Sequence, residues 1–371
     1  MATLQVISLI LIQPTSLMSD SKKHHYISQF YLRGFANPVK TRNRGHHHLL
    51  GVLDIKNAKK REDLVGNVAF QNYFNRLENF QLHENELEDA LIDVEGQISQ
   101  SVYELSESNV LTDQIKDNLC LLMSLFSSRT PHAREKLKSE NISVQDELHH
   151  ALTSFPHLSE GRDDGVTIEM LQYAKETGQM EAVVPSQDTL IYTELTLVQD
   201  LAHQLSQRVW SVLRPSDKQD KFITSECPVV IINPNSGIEP ILFSHTAVRD
   251  PKVDVFFPVT QDIAVYGIME NTAIPNMAGS FFSALNTYVV NNGGRHLFYN
   301  PTGFSVMNEN MEICGLDDVL AYAHEYNKVE KRNPSSGPKS AAEDWKILDL
   351  KDVIELIKKA MSEFRKVAKP D

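Results

Sequence analysis

The chain has 371 residues, 41% of them hydrophobic and 23% charged, which supplies one large core or two ordinary ones and argues against wholesale disorder. A formal net charge of −13 speaks against a generally basic nucleic-acid binder. Three distant cysteines, Cys120, Cys227 and Cys314, with no Cys-x-x-Cys pair, suggest neither a disulfide scaffold nor a zinc knuckle and fit a cytoplasmic protein.

In chain order, the apolar run Leu4–Ile12 is too short to span a bilayer and has no basic segment before it, so no membrane association is expected. Met18-Ser-Asp-Ser-Lys-Lys reads as a polar start, which makes residues 1–20 an expected flexible or upstream extension. From Lys22 to Arg61 there are ten Lys or Arg, one acid (Asp54) and five histidines; from Glu78 to Glu107 there are nine acids and no Lys or Arg. Such segregation is read as packing of one segment on the other, or as a basic face for a phosphate-bearing ligand. Leu49–Asp54 reads as a strand and Asn57-Ala-Lys-Lys as a turn, giving an N-terminal hairpin. His46-His47-His48 sits beside it, its side chains pointing different ways.

Leu87, Leu91, Val94, Ile98, Val102 and Leu105 recur at three and four residues, predicting a helix over 84–105 with Glu84, Glu88 and Glu95 along the rim of the apolar face. A second helix is predicted from Thr112 to about Ser127, ending before Arg129-Thr130-Pro131 and placing Arg129 near its C-terminus. Residues 154–166 read as a loop, 168–177 as a short helix, and Asp188–Leu213 as a long helix with Trp210 on its face. Composition then turns β-branched: Phe222–Thr224 and Val229–Ile232 flank a bend at Ser225-Glu226-Cys227-Pro228. A strand pair over 253–258 and 263–268, a helix over 276–291, and a strand or helix start at Arg295–Tyr299 follow. Gly315–Glu330 is predicted helical, and Glu343–Val367 is a C-terminal helix that would dock on the body or on a second copy of the chain. The order predicts an α+β fold, predominantly helical with small antiparallel or mixed strand elements. It is organised as one domain over 21–330 with a loop and docking helix over 331–371.

No phosphate-binding loop, dinucleotide fingerprint, His-Glu-x-x-His pair or Gly-x-Ser-x-Gly elbow occurs. What remains is a constellation. His24 or His25 would serve as general base or metal ligand. His25 with Glu88 and Glu95 would hold a divalent cation, and Arg33 and Arg129 would meet a phosphate. Glu226, held in an irregular turn, is a further catalytic candidate.

The residues His24-His25-Tyr26-Ile27-Ser28-Gln29-Phe30-Tyr31-Leu32-Arg33-Gly34-Phe35 resemble the opening signature of the DUF4238 family, an uncharacterised and mainly bacterial family. Its members typically begin with His-His-Tyr/Phe, then often Pro, then Gln-x-Tyr-Leu-x-x-Phe; Ser28 stands where proline is usual. The likeness continues through Asn72-Tyr73-Phe74, Glu88 and Glu95, and Arg129-Thr130-Pro131. It includes Thr224-Ser225-Glu226-Cys227-Pro228, with Glu226 in place of the usual aspartate, and segments around Phe257–Thr260 and Asn286–Arg295. It spans about residues 22–300 and implies a shared architecture, with no activity to carry over.

Three readings therefore stay open. One is a metal-dependent hydrolase of nucleic acid or another phosphoester, with His24, His25, Glu88, Glu95, Arg129 and Glu226 converging. Another is a non-catalytic binder of nucleic acid or a phosphorylated ligand. The third is a structural or assembly protein whose N-terminal stretch stitches hairpin to helix.

Overall fold

The structure is a computed structural model and describes residues 22–40, 46–77, 86–135, 137–138, 187–215, 217–233, 237–240, 248, 250–269, 279–292, 294–308, 310 and 312–332. The readings for residues 1–20, for 154–177 and for the C-terminal helix at 343–367 lie outside these residues.

The N-terminal stretch opens as strand β1 (Lys23–His25), which pairs antiparallel with β5 (Phe70–Asn72) in a two-stranded ribbon of its own. Helix α1 (Gln29–Arg33) follows within a few residues. Strands β2 (Asn37–Lys40), β3 (His46–Asp54) and β4 (Lys59–Leu64) come next. β3 pairs with β2 through Leu49↔Asn37 and with β4 through Leu49↔Leu64, so these partners lie on opposite edges. Strand β12 (His296–Tyr299) takes the remaining half of the β2 edge, Gly51–Asp54, and carries β7 (Thr224–Ser225) on its far side. The predicted hairpin is therefore present, and the sheet around it is closed by strands from far along the chain. His46–His48 lie within β3, paired with β2. Gly51 is required by close approach: a Cβ there would stand 2.4 Å from the Tyr299 ring.

A second five-stranded sheet runs β6–β11–β10–β8–β9. Its strands are β6 (Val209–Leu213), β8 (Val230–Asn233), β9 (Gly237–Pro240), β10 (Asp254–Thr260) and β11 (Ile263–Ile268), all paired antiparallel. A short hairpin joins β13 (Ser305–Met307) to β14 (Ile313–Gly315). The helices are α2 (Glu86–Ser108), α3 (Asp113–Ser128), α4 (Gln187–Ser206), α5 (Gly279–Asn291) and α6 (Leu316–Arg332). The fold is α+β with several antiparallel sheets.

One predicted helix is cut short. Its periodic residues run on to Val209 and Trp210, but α4 ends at Ser206 and residues 209–213 form β6 against β11. Val209, Trp210 and Val212 are β-branched or aromatic, and Trp210 and Val212 at alternate positions suit a pleated surface as well as a helical one. At the junction Arg208 is buried and its guanidinium donates to the carbonyls of Val253 (2.7 Å) and Val248 (2.6 Å), bonds that tie the end of α4 to the segment leading into β10. No helix among the described residues is long and apolar enough to cross a membrane.

Helix α1 locks the N-terminal stretch into this frame. Tyr31 is 1% exposed and lies stacked on Phe257, at 5.5 Å and 13°, with Phe126 edge-on at 4.9 Å. Its hydroxyl donates to the Pro258 carbonyl at 2.7 Å, and it lies 2.7 Å from the Thr224 hydroxyl. Since the single phenolic proton goes to the carbonyl, Thr224 must supply the proton of the second bond.

Candidate functional site

In an extended chain, alternate side chains share a side. His24, Tyr26 and Ser28 each reach towards a different glutamate. His24 is fully buried; its Nδ1 accepts the backbone N–H of Asn75 at 2.9 Å and stands 3.8 Å from Glu88 Oε2. Because Nδ1 is an acceptor there, the ring proton sits on Nε2. Asn75 completes the link by donating Nδ2–H to Glu88 Oε2 at 2.7 Å. Tyr26 donates its hydroxyl to Glu226 Oε1, and Ser28 to Glu95 Oε1, both at 2.6 Å.

His25 points the other way. Its ring lies 5.7 Å from Phe70, and burial pushes the imidazole below its ordinary value, against hydrogen bonding with the Val68 backbone. Arg33 is exposed at the last turn of α1. Of the sequence candidates, then, Glu88, Glu95 and Arg129 gather with His24, while Glu226 belongs to a neighbouring group. Among the described residues, no three or more His, Cys, Asp or Glu side chains are arranged to hold a metal ion.

Arg129 is the C-cap residue of α3, and Thr130 starts the next helical turn by accepting the Ala133 N–H on its hydroxyl, with Pro131 at the first helical position. This back-to-back cap aims two arginines at the glutamates. Arg134 pairs bidentately with Glu194 of α4, donates to the Phe74 carbonyl and lies 3.6 Å over the Phe74 ring. Arg129 is buried, which pushes its guanidinium below the ordinary value, while Glu88, Glu194 and Glu95 hold it charged. For Glu88 and Glu95 the answering charge is Arg129, rather than the basic block at 22–61.

The second group surrounds Glu226. Gly294, at φ +98°, turns the chain so that the Arg295 N–H donates to Glu226 Oε2 at 2.8 Å; a Cβ on Gly294 would sit 3.4 Å from the Glu226 Cβ. His296 Nδ1 lies 2.9 Å from Glu226 Oε1, and its Nε2 lies 3.6 Å from Asp54 Oδ2. Arg295 donates Nε and Nη2 to the same Asp54 oxygen at 3.1 and 2.8 Å; Asn57 donates its Nδ2–H to that oxygen as well and its backbone N–H to Oδ1. The result is a Tyr–Glu–His–Asp–Arg array at the end of β12, in which the His296 side chain is 20% and that of Arg295 53% exposed. Burial alone would raise the Glu226 carboxyl, but hydrogen bonds from His296 and Tyr26 and the neighbouring imidazole bring it below its ordinary value. The thiol of the partly exposed Cys227 beside it is pushed up to about 12 by desolvation, which keeps it protonated at neutral pH.

Sequence reading named Glu226 but missed Asp54, Arg295 and His296. A faint signal was present: each is a polar residue at the end of an otherwise apolar strand run.

Glu95 and Glu226 are perturbed in opposite directions, which sets a pH test. Glu95 is raised by burial, against the Ser28 hydrogen bond and Arg129, so its favourable neutral form is lost as pH rises through its folded value. Glu226 is lowered, so its contribution is present at neutral pH and lost as pH falls through its folded value. In urea titrations, Glu226→Gln is expected to lose about 2 kcal/mol near neutral pH, since it weakens charge-assisted hydrogen bonds. Glu95→Gln gains stability there. Both differences shrink towards zero in acid.

Fold and site together define an α+β protein with two five-stranded antiparallel sheets among its described residues and a seam of buried, hydrogen-bonded charge along its N-terminal stretch. Residues 23–301 match the family model described as "Protein of unknown function (DUF4238)", and the chain belongs to that family. Comparison with curated proteins gives no match, and comparison with solved structures gives none either.

Proposed function

We propose that the protein is a phosphoester hydrolase whose acid–base group is the Glu226–His296 pair. The observation that carries this reading is the imidazole, one-fifth exposed, held by Glu226 at Nδ1, with a half-exposed guanidinium beside it. A carboxylate acceptor at Nδ1 fixes the proton there, so Nε2, which stands 3.6 Å from Asp54 Oδ2, is the ring atom that takes a proton from an attacking water, with the resulting imidazolium held between two carboxylates. Arg295 is bound to Asp54 through Nε and Nη2, which leaves its Nη1 edge for a phosphoryl oxygen. Tyr26, a permanent donor because burial raises its phenol, holds Glu226 in place from behind.

A second reading applies to the N-terminal stretch itself. His24, Tyr26 and Ser28 are all engaged with protein partners, which favours a structural junction there over a ligand site. The division is testable with bis(p-nitrophenyl) phosphate and with single-stranded RNA and DNA, each assayed in chelator and in magnesium. Expected are turnover that survives chelator, a drop of roughly 100-fold or more in kcat for His296→Gln, and a stability loss with smaller kinetic change for His24→Gln. Turnover only with magnesium would favour metal-assisted chemistry. Full activity in His296→Gln would remove the acid–base assignment.

A further inference from the structure

His296 belongs to a row that crosses three strands. It pairs with Asp54, and Asp54 pairs on its other side with Lys59, so the three residues stand abreast on β12, β3 and β4. Residues directly opposed in an antiparallel sheet project from the same face. The Lys59 side chain therefore rises on the side of the imidazole, two strands and about 10 Å away. The carboxylates are the covered members of this group, with 8% of the Asp54 and 17% of the Glu226 side chain exposed. Lys59 is exposed and Arg295 half-exposed, so acids lie beneath and cations above, in a chain of net charge −13.

The opposite end of the array adjoins aromatic rings. Tyr26 holds Glu226 with its hydroxyl, gives its backbone N–H to the Ala69 carbonyl and stands 6.1 Å from the Phe74 ring. Next to those contacts in sequence are Phe70 and Tyr73, and each carries a cation over its ring. Lys23 lies 4.5 Å from the Phe70 centroid and Arg76 5.2 Å from that of Tyr73. Residues 22–28 and 68–77 contain no acid. Tyr73 is 39% exposed and left-handed, at φ +59°. Asparagine suits that backbone better than a bulky aromatic residue, so the turn itself does not call for tyrosine. An exposed ring beside a cation is the unit that stacks an unpaired base and meets its phosphate. Building on the phosphoester reading of the Glu226–His296 pair, we infer that the substrate is a single-stranded polynucleotide lying across the array. Lys59 at one end and Lys23 at the other answer phosphates that flank the scissile one, and Tyr73 stacks a base. These three residues bind the chain and take no part in the bond-breaking step.

Binding is read by fluorescence anisotropy over a salt series, with labelled oligothymidylate and oligouridylate of about twelve nucleotides. The full-length His296→Gln protein is used, so that cleavage does not intervene. Phosphorothioate oligonucleotides, which keep the charge and resist cleavage, serve on wild type if that variant does not fold. Each lost phosphate contact lowers the log–log salt slope by about 0.7 on a single strand, so Lys23→Gln/Lys59→Gln is expected to lower it by about 1.4. Tyr73→Asn should weaken binding roughly 10-fold at fixed salt and leave the slope as it was, with no loss of thermal stability. Polyglutamate of similar charge should not compete. The proposal is overturned by an absence of binding at low salt, by an unchanged slope in the double variant, by undiminished affinity in Tyr73→Asn, or by equal competition from polyglutamate. Binding with the expected signatures, but no turnover of bis(p-nitrophenyl) phosphate by wild type, supports the polynucleotide track and removes the hydrolase. Turnover of that small diester without oligonucleotide binding removes the track and leaves the hydrolase standing.

Discussion

Replacing Arg134 by methionine is expected to lower unfolding free energy by about 3–5 kcal/mol, the usual consequence of removing one partner from a buried ion pair. Glu194 is 1% exposed and receives two of the three guanidinium bonds, so the substitution strands a carboxylate in the core. It also frees the Phe74 carbonyl and strips the cation from the face of the Phe74 ring. Arg129 lies close enough to interact with Glu194 and will take up part of the charge, which places the loss nearer the lower end of the range. The double variant Arg134→Met/Glu194→Leu should recover much of the loss, because well-packed apolar side chains often replace a buried pair at little cost. Urea midpoints of wild type, both single variants and the double variant form the cycle that isolates the pair. A loss below about 1 kcal/mol in the single variant would mean that water reaches Glu194 and screens its charge.

The parts of this protein that could be read from sequence are those governed by local periodicity. Helices α2 and α3 lie close to their predicted limits because Leu87–Leu105 and Ile115–Phe126 repeat at helical spacing. The Thr112 hydroxyl caps α3 by accepting from the Ile115 N–H. The boundary of α4 and β6 was not legible, since Val209 and Trp210 continue the helical spacing while Trp210 and Val212 fit a strand, and the Arg208 bonds at the junction go to carbonyls some 40 residues away. Which histidine of the adjacent pair faces inward was equally hidden. Alternation says that they differ, but only pairing with β5 fixes the register that buries His24 and sets His25 against Phe70. The Glu226 array draws on residues 26, 54, 226, 295 and 296, and no spacing rule joins positions separated by a sheet. Charge segregation between the two N-terminal segments was visible, yet Glu88 and Glu95 are answered by Arg129 from a third segment.

Tyr31 tests whether the N-terminal signature builds the fold. Its ring stacks on Phe257 and meets Phe126 and Phe35, so Tyr31→Ala removes the contact shared by α1, α3 and β10 and should cost about 3–5 kcal/mol. Tyr31→Phe separates packing from hydrogen bonding, because the ring remains and the hydroxyl goes. Pro258 lies beyond the last rung between β10 and β8, Phe256↔Val230, and stands opposite Ala264 of β11. Its carbonyl relies on Tyr31, and Thr224 loses its acceptor in the same change. The phenylalanine variant should therefore lose about 1–3 kcal/mol, with faster amide exchange at Gln261, whose N–H is held by the Gly34 carbonyl at the end of α1. Neither variant touches the Glu226 array. Any hydrolytic activity should persist in the folded fraction of both, whereas Tyr26→Phe, five residues earlier in the signature, removes a direct bond to Glu226 and should shift its pH profile. A Tyr31→Phe protein as stable as wild type would show that the signature serves the site and not the frame.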